Sequence, residues 1–151
     1  MNMKDERQFV GYSKYRSRLV DGHVHTELCP HGSGDRTAMM IEKAIELRIE
    51  KVCLTEHAPL PTAFAAEYGG DKKAYDTASL KLNEVDTYLE LGRQLQRAYG
   101  THIDISLGFE VDYIPGFESD IQEFLDRYGP LTDDNILSVH FMEGVNNTFY
   151  C

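Results

Sequence analysis

The sequence predicts an α/β fold in which parallel strands alternate with the helices that cover them. Three observations predict it. Compact apolar runs bounded by charge or turns recur as LVDGHVH, KVCLTEH and NILSVH; stretches with apolar residues three or four apart separate them; and Ile103 to Val111 alternates apolar and polar residues. Strand and helix in alternation imply a parallel sheet, because a parallel pair needs a crossover long enough to hold a helix.

Each element follows in order. A strand begins at about Leu19 and runs into the Pro/Gly-broken loop Pro30 to Gly34, after which Met40, Ala44 and Leu47 repeat at helical spacing. KVCLTEH reads as a buried strand ending near Thr55, followed by a long polar loop, APLPTAFAAEYGGDKK, whose length points to function. Leu82, Val85, Leu89 and Tyr99 form a second helical stripe, and Gly100 falls where a left-handed cap is expected. The alternating strand comes next. Phe117, Ile121, Phe124 and Tyr128 then return to helical spacing before Gly129 and Pro130, and NILSVH supplies a fourth strand. The reading is β-α-β-α-β-α-β with no internal repeat.

Composition sets the outer bounds. The chain has 151 residues, 42% hydrophobic and 26% charged, which suits one globular domain, and no run approaches the length of a membrane span. The start shows no secretory pattern, so a cytoplasmic protein is expected. Residues 1–18 hold Lys4, Arg7, Lys14, Arg16 and Arg18 and are expected to be a mobile extension. The formal charge of −10 argues against a nucleic-acid partner, because broad capture of phosphates needs a basic face. An acidic chain can still bind phosphate through metal ions, whose charge dominates locally. Cys29, Cys53 and Cys151 share no close spacing and are expected to be reduced thiols.

The chemistry-bearing residues fall at strand ends. His23, His25, His57, Glu110 and His140 lie at or just after the C-terminal ends of predicted strands, and His31 lies in the first such loop. In parallel α/β folds those ends converge on one face. Imidazoles bind zinc, iron and manganese, and a carboxylate can bridge two ions, so the pattern points to a cluster of more than one metal. Asp21 and Glu56 flank the histidines, either orienting them or standing as ordinary solvated carboxylates. Cys29, beside Pro30, is read as a structural cysteine, with ligation of a soft metal the alternative. His102 precedes its strand and is expected to be exposed and uninvolved.

These residues also carry a family resemblance. The HxH of His23 and His25, TEH with His57, GFE with Glu110 and SVH with His140 resemble the polymerase and histidinol phosphatase (PHP) superfamily of metal-dependent phosphoesterases. Within it, DGHVHTELCPHGSGD, LTEHAPLP, GFEVDYIPGF and ILSVHFMEG are similar to the histidinol-phosphate phosphatases, which release L-histidinol from its phosphate ester in histidine biosynthesis. The resemblance implies a distorted, TIM-like (βα)7 barrel. Residues 19–151 would hold about its first four strand-helix units, a PHP domain incomplete at its C-terminal end.

It further implies up to three divalent ions (Zn, Mn or Fe). His23 and His25 would hold one with Glu110, Glu110 would bridge to a second held by His140, and His31 with His57 would bind the third. A hydroxide held between ions by Glu110 and His140 would attack a small phosphate ester, with no side-chain acid assigned. Open barrel edges would invite self-association. Two alternatives stand beside this reading: another PHP phosphoesterase, or a noncatalytic half-barrel.

Overall fold

The computed structural model describes residues 18–144 and 148–150. Apart from Arg18, the extension expected over residues 1–18 lies outside the described residues, as does Cys151. Four strands form one parallel sheet: β1 (Val20–Val24), β2 (Lys51–His57), β3 (Asp104–Asp112) and β4 (Ile136–Ser138), in the order β1-β2-β3-β4. Sequential order in a parallel sheet puts every crossover on the same side, so helices cover one face and the sheet curls into half of a barrel. Helix α1 (Thr37–Glu46) joins β1 to β2, α3 (Val85–Tyr99) joins β2 to β3, and α4 (Glu118–Tyr128) joins β3 to β4.

Register explains the alternation of β3. Ile105, Leu107, Phe109 and Val111 enter the main apolar cluster with Ile41, Leu54, Val85, Tyr88 and Leu89, between sheet and helices. The residues between them, Ser106, Gly108, Glu110 and Asp112, belong to the opposite face because successive side chains on a strand point opposite ways. Alternation here does not mean one wet face: every residue from Ile105 to Asp112 is buried. The ladder sets Cys53 beside Ser106, Thr55 beside Gly108 and His57 beside Glu110, and Glu110 beside Ile136. A polar row therefore runs across neighbouring strands on the side away from the helices.

Tyr88 ties this sheet together from α3. Its buried hydroxyl lies 2.9 Å from the Leu54 carbonyl and 2.6 Å from the Gly108 carbonyl, and accepts the Glu56 amide at 3.3 Å. Burial, chiefly, raises the phenol far above its ordinary pKa, so it stays a donor. Tyr88→Phe is expected to cost about 1–3 kcal/mol, because it strips partners from buried backbone groups without changing shape much. Urea unfolding of the variant checks this; a change within experimental error would remove Tyr88 from that role.

Two expectations need correction. Gly100 does not cap α3 in a left-handed conformation: its φ is −62°, with its amide bonded to the Gln96 carbonyl. The glycine is needed for space, since a Cβ there would lie 2.5 Å from that same oxygen. The segment after β2 is also not a plain polar loop. It holds a 3-10 turn at Thr62–Ala66 and a short helix α2 (Lys72–Asp76), and β2 itself runs two residues beyond Thr55 to His57. Phe64, in that turn, is fully buried and packs edge-on against Phe117, Phe141 and Phe149 at 5.0–5.4 Å between ring centres. This second apolar cluster also takes in Phe149 of the small antiparallel pair β5 (Met142–Glu143) and β6 (Phe149–Tyr150), and it pins the segment beside the strand ends.

Candidate metal centre

Glu110 is the hub. It is 2% exposed, and four imidazoles from three segments reach it: His23 Nε2 at 2.9 Å, His25 Nε2 at 3.4 Å and His57 Nδ1 at 3.1 Å from Oε2, with His140 Nε2 at 3.4 Å from Oε1. The local reasons are simple. His23 and His25 are two apart at the end of β1 and so share a face, His57 is the last residue of β2 beside Glu110 in the ladder, and His140 follows β4, Glu110's other neighbour.

Hydrogen bonds aim two of these rings. Glu56, fully buried, contacts His25 Nδ1 at 3.1 Å with Oε1 while Oε2 accepts the amide and hydroxyl of Thr26 at 2.9 and 2.7 Å. Asp112 accepts the His140 amide at 3.1 Å and meets His140 Nδ1 at 3.0 Å. A proton on each Nδ1 leaves the Nε2 lone pair directed at Glu110, the arrangement in which carboxylates orient metal-binding histidines. His31 has the same logic: its Nδ1 lies 2.8 Å from the Thr77 carbonyl, which can only accept. Its ring centre is 5.0 Å from that of His57.

The charges are arranged to keep carboxylates ionised. Burial pushes Glu110 up, but the Ser138 hydroxyl, the His23 bond and the charges of His57 and His23 hold it below the ordinary carboxylate range. Glu56 is held low in the same way, burial being outweighed by His25 and Thr26. Asp112 differs, since burial exceeds the pull of His140 and raises it. His25 is raised, first by its bond to Glu56, whereas burial and then the His25 charge lower His57 to about 4.

Metal and proton compete for the same lone pairs. His57 is neutral at any pH well above 4, whereas His25 stays protonated to a pH above its ordinary 6.5. Affinity for a divalent ion is therefore expected to keep rising with pH above 6.5, by at most about tenfold per pH unit if one proton is displaced. Ion titrations of the metal-free protein at several pH values check this; a flat profile would contradict it.

A metal centre fits this geometry better than hydrogen bonding alone. Among the described residues the buried His57 Nδ1 has no hydrogen-bond partner, although it lies 3.1 Å from Glu110. Three imidazole nitrogens crowd one carboxylate oxygen, a contact set that ions between them would resolve. Ligand atoms lie within 4.8 Å of one another in three groups: His23, His25 and Glu110; His57, Asp112 and His140; and His25, Cys29 and His57.

The first group matches the set expected for one ion. In the second, His140 is joined by His57 and by Asp112, which the sequence reading passed over although it stands two residues from Glu110 on an alternating strand. Asp21 is exposed on β1, and no hydrogen bond joins it to a histidine among the described contacts. His102 is exposed at the opposite end of β3.

Residues 21–150 match the family model of the PHP domain. The chain belongs to the PHP domain family. Over 131 residues this PHP domain is 39% identical to the histidinol-phosphatase of Bacillus subtilis, covering 87% of the chain and 47% of that relative. A Listeria monocytogenes protein, solved as a candidate histidinol phosphatase, superposes with a TM-score of 0.83 at 43% identity, over 86% of the chain and 47% of its own length. The histidinol phosphate phosphatase of Lactococcus lactis, solved with zinc, L-histidinol and phosphate, shares the fold with a TM-score of 0.63 at 24% identity, over 86% of this chain and 42% of that one. The chain spans about half the length of the relatives it matches.

Proposed function

We propose that this PHP domain is that of a phosphomonoesterase that hydrolyses L-histidinol phosphate to L-histidinol and phosphate, a cytoplasmic step of histidine biosynthesis. The observation that carries the chemistry is the convergence of His23, His25, His57 and His140 on buried Glu110. The substrate assignment rests on the relatives named above. His23, His25 and Glu110 would hold one ion and His57, Asp112 and His140 a second; His31, its Nδ1 on the Thr77 carbonyl, stands beside His57 for a third. Zinc, manganese and iron suit this nitrogen and oxygen set.

Bound divalent ions supply a nucleophile from water near neutral pH and offset charge on the phosphoryl group. The protein's own part is positioning. Glu56 and Asp112 hold the imidazoles in one tautomer, Glu110 brings negative charge to the point where the rings meet, and burial of His57 and Glu110 keeps water from loosening the array. The test is release of phosphate from L-histidinol phosphate with Mn or Zn added, against a panel of nucleotide and sugar phosphates. Preference for histidinol phosphate, abolished by a chelator, supports the reading. Equal turnover of the panel would favour a broader PHP phosphoesterase, and metal binding without any turnover would overturn the phosphatase assignment.

No described helix is long and apolar enough to cross a membrane. Among the described residues strands β1 and β4 each have one partner, and both carry exposed apolar side chains near the edge: Leu19, Val20, Leu137 and Val139, all at least half exposed. Unpaired, apolar edge strands template association with another chain. Purified protein is therefore expected to self-associate, and Leu137→Lys with Val139→Lys to shift it toward monomer by light scattering. An unchanged molar mass in the double variant would exclude the β4 edge.

A further inference from the structure

The third ligand group contains a residue that the nitrogen and oxygen reading does not use. Cys29 is 7% exposed and its sulfur lies within 4.8 Å of one nitrogen each of His25 and His57. The turn that carries it, Cys29-Pro30-His31-Gly32, closes on itself: the Gly32 amide donates to the Cys29 carbonyl at 3.1 Å, and Gly32 packs so closely that a Cβ there would lie 3.2 Å from the cysteine Cβ. The His57 ring also needs a ligand: its buried Nδ1, 3.1 Å from Glu110, has no hydrogen-bond partner among the described residues.

We propose that Cys29 is a metal ligand, its thiolate joining His25 and His57 around a thiophilic divalent ion such as zinc, cobalt or cadmium. The inference rests on the metal-centre reading above and adds a soft donor to it. In a tetrahedral zinc site, Zn–S and Zn–N bonds place sulfur and nitrogen ~3.6 Å apart, so the present spacing needs a contraction of about 1 Å or less. Ligation releases the thiol proton to solvent and leaves the metal–sulfur bond in its place. His25 also belongs to the group with His23 and Glu110, and with its Nδ1 on Glu56 it has one nitrogen, Nε2, to offer an ion. A soft ion at Cys29 therefore competes with that group for His25, whereas manganese, which prefers oxygen donors, leaves the thiol free. The metal that loads this chain is thus expected to decide which groups fill.

Cobalt substitution tests this without any activity assay. Metal-free protein titrated with Co(II) is expected to show visible d–d bands together with a near-ultraviolet sulfur-to-cobalt charge-transfer band. Cys29→Ser is expected to lose the near-ultraviolet band and keep the visible ones, while Cys53→Ser keeps both, Cys53 being the other free thiol among the described residues. Circular dichroism of Cys29→Ser guards against misfolding, and Cys29→Ala gives a second variant if serine disturbs the turn. Visible bands without charge transfer in the unaltered protein would overturn the role of Cys29 and leave the metal centre standing. No cobalt bound by dialysis would overturn both. Manganese affinity, measured by electron paramagnetic resonance, is expected to be the same in Cys29→Ser and the parent; a drop would count against selectivity for soft ions.

Discussion

Glu110→Gln is expected to remove metal from more than one position, lowering ion affinity by more than the ~100-fold that loss of a mere orienting partner costs. The reason is geometric. One carboxylate meets His23, His25 and His57 through Oε2 and His140 through Oε1, so its charge is shared by ligands drawn from β1, β2 and the segment after β4. Glutamine keeps the shape but not the charge, and its amide adds a donor where imidazole lone pairs converge. If the chain is the phosphatase proposed above, phosphate release falls on the order of 100-fold or more in this variant, because metal-bound charge stabilises the transition state by several kcal/mol. His31→Ala is the comparator. Its ring lies to one side of the hub and is held by the Thr77 carbonyl, so its loss should weaken a single position. Metal analysis of both proteins after dialysis checks this, with His102→Ala as the exposed control at the far end of β3. Equal loss of one ion from the Glu110 and His31 variants would refute the bridging role of Glu110.

Gly108→Ala is expected to destabilise the fold by about 3 kcal/mol or more, which for a domain of this size lowers the melting temperature by about 10 °C. A Cβ at this position would lie 1.5 Å from the backbone oxygen of Asp134, and a backbone atom cannot step aside as a flexible side-chain end can. The neighbouring contacts would be lost with it. Asp133 accepts the Leu107 amide at 2.9 Å and Asn135 accepts the Phe109 amide at 2.9 Å, while the Asp133 amide donates to the Leu107 carbonyl at 2.7 Å, so the loop before β4 serves β3 with side chains as well as backbone. Because β4 follows directly and delivers Ser138 and His140, the variant should lose metal affinity as well as stability. Thermal unfolding followed by circular dichroism checks the first effect. A shift below about 2 °C would show that the loop relaxes freely.

The alternation of strand and helix was legible because it depends on local periodicity, and each period has one geometric cause. His23 and His25 could be placed together for the same reason, being two apart on one strand. Asp112 carried the same signal relative to Glu110 and was passed over. Its role depends on His140, 28 residues away, and nothing local marks the pair. Phe64 was hidden for a related reason: one aromatic in a polar stretch has no period, and its burial depends on Phe117, Phe141 and Phe149 arriving from later in the chain.

The sequence by itself determined the parallel α/β order, the strand ends as the place of the candidate site, and the residues proposed as ligands, His23, His25, His31, His57, Glu110 and His140. These follow from residue chemistry and spacing along single elements. The tertiary structure alone decided the grouping: Glu110 as the common contact of four imidazoles, Glu56 on His25, Asp112 on His140, and Cys29 within reach of His25 and His57. Ligand sets are distances of a few ångströms between strands, set by ladder register and sheet curl, and register is a property of pairs of strands that no one strand encodes.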